Sequence, residues 1–323
     1  MYKRQALPRL ITRENLSKLY HSKKLTGTLF FELLKKDTEL FYYKKIIEEY
    51  QLEISSAVFE QDFLSDKEEL WQQKYPELMS YHWSWDFFAD PLSSSQDFIP
   101  ASRQFIAYQI NEALKGNCTG AIASTFDALK DWRDPIRQAI EWEIFTVKEY
   151  EELLWGWFTR LNAFLTIGPP AIRTRELAAL IDAGIFHLVE PPIDIRMSEG
   201  CFSVDYKGVT VKSRFLIEAR VPKNDLLYTE NPALKSLRNN QLIRSYTYQD
   251  QKKQYHTNAV DVIRGTNQVV NQKGKIEETV YCIGIPVEGV DWLTAAVSRP
   301  YTDPWNLRQI DRTAQHILQS KRI

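Results

Sequence analysis

The feature that most constrains the fold is a change of sequence pattern near Trp155. From Leu16 to about Trp155, apolar residues recur at spacings of three and four, which is the pattern of helices that bury one face. After Trp155 the sequence changes to short apolar segments rich in β-branched residues and separated by Gly, Pro and Asn, as is typical of strands. We therefore predict an α/β chain of mixed α+β character, with a mostly helical domain at 1–155 and an α/β domain at 156–323.

The second half contains strand and helix signals in alternation. The predicted strands are Ala163 to Ile167, Ile185 to Val189, Phe202 to Tyr206, Val209 to Ile217, Leu242 to Tyr246, Val260 to Ile263, Gln268 to Val270 and Thr279 to Ile283. The predicted helices are Ala171 to Ala183 closed by Gly184, a short one near Asn231 to Arg238, and a terminal helix that starts at Thr302-Asp303-Pro304. For the terminal helix, the spacing predicts an inner face made by Leu307, Ile310, Ile317 and Leu318.

Composition narrows the class of protein. The chain has 323 residues, a formal net charge of -1 and 44% hydrophobic residues, so it has no overall electrostatic attraction to nucleic acid or to an anionic membrane. Its three cysteines, Cys118, Cys201 and Cys282, are far apart and odd in number, which disfavours a disulfide framework and suits a reducing cytoplasm. No run of apolar residues is long enough to span a membrane. We expect a cytoplasmic protein with a small-molecule substrate.

An apolar run near the C-terminus stops at Gly284, turns over Ile285-Pro286-Val287-Glu288 and restarts at Gly289-Val290. This pattern predicts a buried strand that leads to a helix N-terminus. The free N–H groups at such an end attract anions, and they suit a phosphate or the pyrimidine edge of a flavin, which gains negative charge on reduction. A tight turn without any ligand is the alternative interpretation.

Three arginines are candidate anion-binding residues. Arg133 and Arg137 are four positions apart and hence on one helical face, with Asp134 between them. They either bind an anion or form a structural ion-pair network between the two halves of the chain. Arg173 follows Gly168-Pro169-Pro170 at a predicted helix start, where it either holds a carboxylate or phosphate or is a surface charge.

Other chemical motifs are absent from the sequence. The five histidines are isolated and show no metal-ligand spacing, and there is no GxSxG sequence, P-loop or acidic pair at catalytic spacing. The catalytic residues are therefore unknown at this stage, and no metal is expected. The aromatic stretch from Tyr81 to Phe88 is interpreted as core or as a docking surface, since it lacks the basic residues of a nucleic-acid site.

Several segments taken together resemble one family. They are Asp90-Pro91, the helix from Phe105 to Leu114, the stretch from Asp127 to Arg137, the turn from Leu161 to Arg173, the stretch from Glu176 to Gly184, the segment from Gly284 to Thr294, and Ser298-Arg299-Pro300. This series resembles the bacterial FAD/NAD(P)-binding proteins related to the two-dinucleotide-fold flavoprotein oxidoreductases and monooxygenases. The resemblance covers most of residues 90–320 and is strongest at the segment that starts at Gly284.

The resemblance implies an incomplete FAD/NAD(P)-binding domain of three layers. In that family an N-terminal strand, a Gly-rich turn and a helix hold the FAD; this sequence has no such element, so we expect a fragment that lacks it. By position, the residues lining the flavin would be Gly284, Ile285, Pro286, Glu288, Gly289 and Val290, with Arg299 nearby. The family's usual Gly-Arg-Pro-Gly is Ser298-Arg299-Pro300-Tyr301 here, which departs from the pattern at both glycines.

Two functions remain open from the sequence. The resemblance implies a flavin-dependent oxidoreductase, in which NAD(P)H reduces FAD and the reduced flavin acts on oxygen or a small substrate. The absence of an identifiable acid, base or nucleophile favours the alternative, a non-catalytic binding or scaffolding protein with a degenerate flavoprotein fold. In that alternative the aromatics from Tyr81 to Phe88 would dock a partner.

Overall fold

The computed structural model describes residues 6–65, 70–92, 97–206, 208–219, 224–295 and 303–320. The α-helices are α1 Arg13–His21, α2 Gly27–Glu49, α3 Ser56–Ser65, α4 Trp71–Lys74, α5 Trp85–Ala89, α6 Phe98–Thr119, α7 Ala121–Asp131, α8 Arg133–Glu141, α9 Val147–Glu149, α10 Thr159–Thr166, α11 Ala171–Asp182, α12 Pro232–Asn239 and α13 Trp305–Ser320. A π-helix covers Tyr150–Phe158, and 3-10 helices cover Pro76–Tyr81 and Ile285–Val287.

The strands are short and pair only with antiparallel neighbours. They are β1 Asp194–Ser198, β2 Cys201–Tyr206, β3 Val209–Ser213, β4 Ser245–Gln249, β5 Gln254–Val260, β6 Gln268–Val270 and β7 Ile276–Tyr281. β1, β2 and β3 form one sheet, β4 pairs with β5, and β6 pairs with β7. The α+β class is thus confirmed, while the described residues contain none of the parallel strand pairs on which a dinucleotide-binding sheet is built.

Helix prediction in the second half succeeded where local capping chemistry is strong. α11 ends at Asp182 and is followed by Gly184 with φ +69°, as a glycine C-cap requires. α12 starts after Asn231, whose side chain accepts the amides of Ala233 and Leu234 at 3.0 and 3.2 Å. Both helices were predicted within a residue or two.

Two predicted strands are wrong, and of a third, from Val260 to Ile263, only Val260 lies in a strand, at the end of β5. The segment from Ala163 to Ile167 lies mostly in α10, where Leu161 and Leu165, four positions apart, are buried together. The segment from Ile185 to Val189 has no regular structure. In each case the β-branched and aromatic content suggested a strand, whereas tertiary packing determined the outcome.

The terminal helix was predicted correctly, but its inner face was not. In α13 the buried residues are Gln309 and Thr313, and Leu307, Ile310 and Leu318 are exposed. The Thr313 hydroxyl donates to Asn267 Oδ1 at 3.1 Å and the Gln309 amide donates to Asp291. Polar pairing, which apolar spacing cannot reveal, therefore sets the inner face of this helix.

The chain divides into two compact units made from alternating segments. Unit 1 comprises residues 1–9, 34–131 and 157–221, and unit 2 comprises residues 10–33, 132–156 and 222–323. These units do not follow the predicted boundary at 155 and 156, because segments from both halves of the sequence contribute to each unit.

Unit 1 has an aromatic core. Tyr43 contacts Trp71 at a ring-centroid distance of 4.9 Å, and Trp83 contacts Phe88 at 4.9 Å and Trp85 at 5.4 Å. Trp83, Trp85 and Phe88 are all buried. Three of the five aromatic residues between Tyr81 and Phe88 therefore belong to the core, and the two tryptophans in this stretch are not on the surface.

Unit 2 has an aliphatic core assembled by its strands and loops. Its buried members are Leu226, Ile243, Val260, Val262, Val269, Val287 and Val290. Val287 and Val290 come from the segment that follows Gly284, so this segment is anchored in the core of the unit. None of the helices in the described part of the chain has the combined length and apolar character that crossing a membrane requires.

Candidate functional site

The segment that was predicted to lead to a helix forms a closed turn in the structure. We call residues 284–294 the corner. The Val287 amide donates to the Gly284 carbonyl at 3.1 Å, and the Asp291 amide donates to the Val287 carbonyl at 3.1 Å. No helix begins at Gly289; its amide donates to the Asp291 carbonyl at 3.0 Å. The predicted helix N-terminus is therefore wrong, and the tight turn is the observed form.

Glu288 binds the amides that follow it. Its carboxylate accepts the Leu293 amide at 2.9 Å and the Thr294 amide at 2.7 Å, and the Thr294 hydroxyl donates to it at 2.5 Å. Charge-assisted hydrogen bonds of this kind are stronger than neutral ones. The position where the sequence predicted an external anion is thus filled by a carboxylate of the corner itself.

Three side chains from elsewhere in unit 2 bind the carbonyl groups of the corner. The Tyr150 hydroxyl donates to the Gly289 carbonyl at 2.6 Å. Arg264 donates to the Val290 carbonyl at 3.1 Å through Nη2, and Arg137 donates through Nε to the Trp292 carbonyl and through Nη2 to the Leu293 carbonyl, both at 3.2 Å. The corner is therefore a junction at which distant parts of unit 2 are joined.

Gly289 is required by its close approach to neighbouring backbone and side chains. Its φ is +127°, and a Cβ at this position would lie 2.8 Å from both Cβ and Oγ1 of Thr257. Side chains of real residues do not approach so closely. This glycine thus allows the corner to pack against β5, and the packing leaves no open space at this point for a ligand.

The structure gives the surroundings of the residues that the resemblance assigned to the flavin. A reduced flavin needs hydrogen-bond donors directed at its pyrimidine edge, whereas the amides of Val287, Glu288, Gly289, Val290 and Asp291 all donate to main-chain carbonyls. Val287, Gly289 and Val290 are buried, while Ile285 is exposed and the Pro286 carbonyl accepts from Asn224 at 2.8 Å. Arg299 lies outside the described residues.

The three candidate arginines are in different surroundings. Arg137 is buried, and besides the two carbonyls it pairs with Asp134 at 3.0 Å; Asp134 also pairs with Arg308. Burial lowers the pKa of Arg137, against the raising effect of Asp134, yet an arginine remains charged. This is the arrangement of the structural network that the sequence also allowed. Arg133 is half-buried at the start of α8, and Arg173 is exposed on α11 beside Glu176.

The sequence did not point to Asp291, Tyr150 or Arg264. Burial raises the pKa of Asp291 to about 6, against the lowering effects of Gln309 and Arg264. Tyr150 and Arg264 contact the corner across 139 and 26 sequence positions. No local pattern marks such contacts, because their partners are backbone carbonyls, which every residue has.

Unit 1 contains a separate cavity of about 240 Å³, lined in part by Tyr42, Tyr108, Glu49, Glu112 and Lys115. Lys115 Nζ pairs with Glu49 at 2.8 Å and with Glu112 at 2.9 Å. Two carboxylates with one ammonium group leave the wall negative, so the cavity is unsuited to an anionic ligand. Among the described residues, no group of three or more His, Cys, Asp or Glu is placed to hold a metal ion.

Known proteins resemble this chain over most of its length, although no model of a known protein family matches it. It is 28% identical over 329 residues to an L-aspartate N-monooxygenase (nitrosuccinate-forming) from Streptomyces davaonensis, in a match that covers 96% of the chain and 51% of the relative. It is 27% identical over 300 residues to the nitrosuccinic acid synthase npaA of Aspergillus oryzae, a match that covers 89% of the chain and 45% of the relative.

A third relative, an L-aspartate N-monooxygenase (nitrosuccinate-forming) from Streptomyces cremeus, is 34% identical over 221 residues, which are 66% of the chain and 33% of the relative. The chain therefore spans about half the length of the first two relatives and about a third of the length of this one. The resemblance to monooxygenases seen in the sequence is thus confirmed in its coarser form: the relatives of this chain are nitrosuccinate-forming enzymes, two of them named as L-aspartate N-monooxygenases.

Proposed function

We propose that this chain is part of a monooxygenase that oxygenates the amino nitrogen of L-aspartate. The observation that carries the proposal is the match to the Streptomyces davaonensis enzyme, which extends over 96% of the chain. Similarity over almost the whole chain supports a shared fold and a shared role in the reaction, more than a match to one short motif would.

We further propose FAD and NAD(P)H as the cofactors of the complete enzyme. A monooxygenase reduces one atom of O2 to water and therefore needs an external electron donor, the role that NAD(P)H has in flavoproteins. This part of the proposal rests on the resemblance described above. We propose that residues outside the corner bind the flavin ring, because the amides from Val287 to Asp291 donate to carbonyls within the corner.

Aspartate is a dicarboxylate, and its recognition calls for cationic side chains. Among the candidate arginines, Arg137 is buried with its guanidinium bonded to the corner and to Asp134. Arg173 is exposed and can exchange the Glu176 carboxylate for that of a ligand. We therefore propose Arg173 as the more accessible carboxylate contact of the two.

A chimera tests the proposed activity. This chain would replace the matched 51% of the Streptomyces davaonensis enzyme, and O2 uptake and NAD(P)H oxidation would be followed with and without L-aspartate. We expect turnover that depends on aspartate, with nitrosuccinate as product by mass spectrometry. A folded chimera that oxidises NAD(P)H at the same rate with and without aspartate, and forms no product, would contradict the proposal.

The docking surface proposed for a non-catalytic scaffold is largely buried in the structure. It required the aromatic stretch from Tyr81 to Phe88 to face a partner, and Trp83, Trp85 and Phe88 are buried in the core of unit 1. Phe87 is exposed, but a single exposed aromatic side chain is common on protein surfaces. What remains in its favour is that the sequence shows no identifiable acid, base or nucleophile, whereas the matches to two L-aspartate N-monooxygenases support an enzyme.

A further inference from the structure

The sheet of β1, β2 and β3 in unit 1 has one apolar face. The antiparallel register places Ile195 opposite Val204 and Val204 opposite Val211, with Met197 opposite Phe202 and Tyr206 opposite Val209. Opposed residues in antiparallel strands project to the same side. We call this side the apolar sheet face; its apolar members are Ile195, Met197, Phe202, Val204, Tyr206, Val209 and Val211, and Ser213, opposite Phe202, is its one polar member.

The opposite face of the same sheet is polar. It contains Asp194, Arg196, Ser198, Cys201, Ser203, Asp205, Thr210 and Lys212. Arg196 pairs with Asp194, and the Thr210 hydroxyl donates to Asp205 at 2.5 Å. These charged and polar side chains are well solvated, so the polar face can remain exposed to water. The apolar face, in contrast, is stabilised when another layer of protein covers it.

Within the described part of the chain, no layer covers the outer strands of the apolar sheet face, whereas Phe202, Val204 and Tyr206 of the central strand are half-buried. Ile195 is 42% exposed, Met197 73%, Val209 50% and Val211 49%. After the end of β3, Phe215 is 83% exposed and Ile217 is 87% exposed. Soluble monomers rarely expose contiguous apolar surface of this kind, and where it occurs it marks an interaction site.

We propose that the apolar sheet face docks the remaining part of a monooxygenase that is as long as the relatives, that is, the part outside the matched region. The relatives contain roughly as many residues outside the match as within it, since the matches cover 45% and 51% of their length, and this is enough for at least one domain. The apolar sheet face has no charged member, so its counterpart is an apolar helix or sheet surface. The proposal rests on the relationship used for the proposed function.

The test measures association rather than turnover, so its result is independent of the proposed chemistry. The probe is the polypeptide formed by the residues of the Streptomyces davaonensis enzyme outside the matched 51%. It is expressed separately, shown to be folded by circular dichroism and cooperative thermal unfolding, and titrated into the purified chain. We expect a one-to-one complex by sedimentation velocity and slower amide hydrogen exchange across 194–213 in the complex.

Matched variants locate the interface. In Ile195→Lys with Val211→Lys, two charges are added to the apolar sheet face, and we expect the Kd to rise at least about tenfold. In the control, Ser198→Lys with Thr210→Lys, the same charge is added to the polar face, and the Kd should change less than about twofold. All four positions are exposed, so circular dichroism and thermal unfolding should show both variants folded.

Three results would overturn the proposal. The first is that no complex forms with the probe. The second is a complex with the same Kd for both double variants. The third is that the chain alone sediments as a dimer with slow hydrogen exchange at 194–213, which would assign the apolar sheet face to a second copy.

Discussion

Asp291 is a buried carboxyl with altered titration. Burial raises its pKa to about 6, compared with about 3.9 for an aspartate in an unfolded chain. A carboxyl with a higher pKa in the folded state holds its proton more tightly there. Its contribution to stability is therefore complete below about pH 4 and is lost as the pH rises through about 6.

We expect Asp291→Asn to reduce the loss of stability between about pH 4 and pH 7.5. The asparagine has no charge to desolvate, and its Oδ1 can still accept the Gln309 amide. A shift of about two pKa units corresponds to roughly 2–3 kcal/mol, which is the largest difference to be expected in urea unfolding at the two pH values. Asp311→Asn, at an exposed position of α13, is the control, and the same pH slope in D291N as in the wild type would contradict the assignment.

The structural role of Arg137 can be tested by comparing Arg137→Met with Arg173→Met, since each variant removes one positive charge. We expect Arg137→Met to lower the free energy of unfolding by about 2–4 kcal/mol, because the Trp292 and Leu293 carbonyls lose this donor and Asp134 loses one of its two arginine partners. Arg173→Met removes an exposed arginine that pairs with Glu176, so its effect should stay within about 0.5 kcal/mol. If chemical unfolding gave the same loss of unfolding free energy for Arg137→Met and Arg173→Met, the contacts of Arg137 would not stabilise the fold more than an exposed ion pair does.

At the scale of the element, the corner depends on the absence of a side chain at Gly289. We expect Gly289→Ala to cost about 2–4 kcal/mol, since its Cβ would lie 2.8 Å from Thr257 and its φ is +127°. Gly168→Ala is the matched control, because Gly168 has nothing within 4 Å of the added Cβ and no positive φ; its effect should lie within about 1 kcal/mol. A small effect at Gly289, measured by thermal and urea unfolding, would mean that β5 shifts away without cost.

Helices and strands whose ends are marked by capping or turn residues were predictable from the sequence. Gly184 after α11, Asn231 before α12 and Asp303-Pro304 before α13 mark helix ends by chemistry that involves only neighbouring residues. Among the strands, β6 was predicted with its bounds, β2 within one residue and β3 at its start, although β3 ends at Ser213 and not at Ile217. Where the determining contact is close in sequence, pattern and structure agree.

The candidate site was predictable only in part. The turn at Gly284 follows from the sequence, but the continuation of Gly289 into a helix does not occur, because the chain there is held by contacts with Tyr150, Arg264 and Arg137. These contacts join side chains to backbone carbonyls far apart in the sequence. The inner face of α13 was missed for the same reason, as Gln309 and Thr313 are buried by polar partners from other segments.

At the scale of the whole molecule, the segments of the two units alternate along the chain. We expect residues 1–155 expressed alone to show no cooperative unfolding. Unit 1 would lose 157–221, including Trp157, which contacts Trp85, and unit 2 would lose 222–323 with its strands. Thermal unfolding followed by circular dichroism, with the whole chain as reference, checks this, and a sharp transition in the shorter piece would show that the predicted helical domain is independent.

We also expect the chain by itself to bind FAD more weakly than about 1 mM. A backbone turn with its amides already bonded contributes at most on the order of 1 kcal/mol to anion binding, far from the roughly 4 kcal/mol that millimolar affinity requires. Titration of flavin fluorescence with the chain measures this, with free FAD in buffer as the reference. Micromolar binding would mean that the described residues contain a flavin site elsewhere than the corner.

The carboxylate of Glu288 gives the corner an occupant of its own. Because this group accepts hydrogen bonds from the Leu293 and Thr294 amides, the corner acquires its shape during folding and needs no bound ligand to stabilise it. Shortening the side chain, as in Glu288→Ala, would uncover two converging donors and create a latent receptor for small oxyanions. The Glu288 carboxylate and an external oxyanion would thus compete for the same two N–H groups. In the wild-type chain the carboxylate of Glu288 accepts both of them.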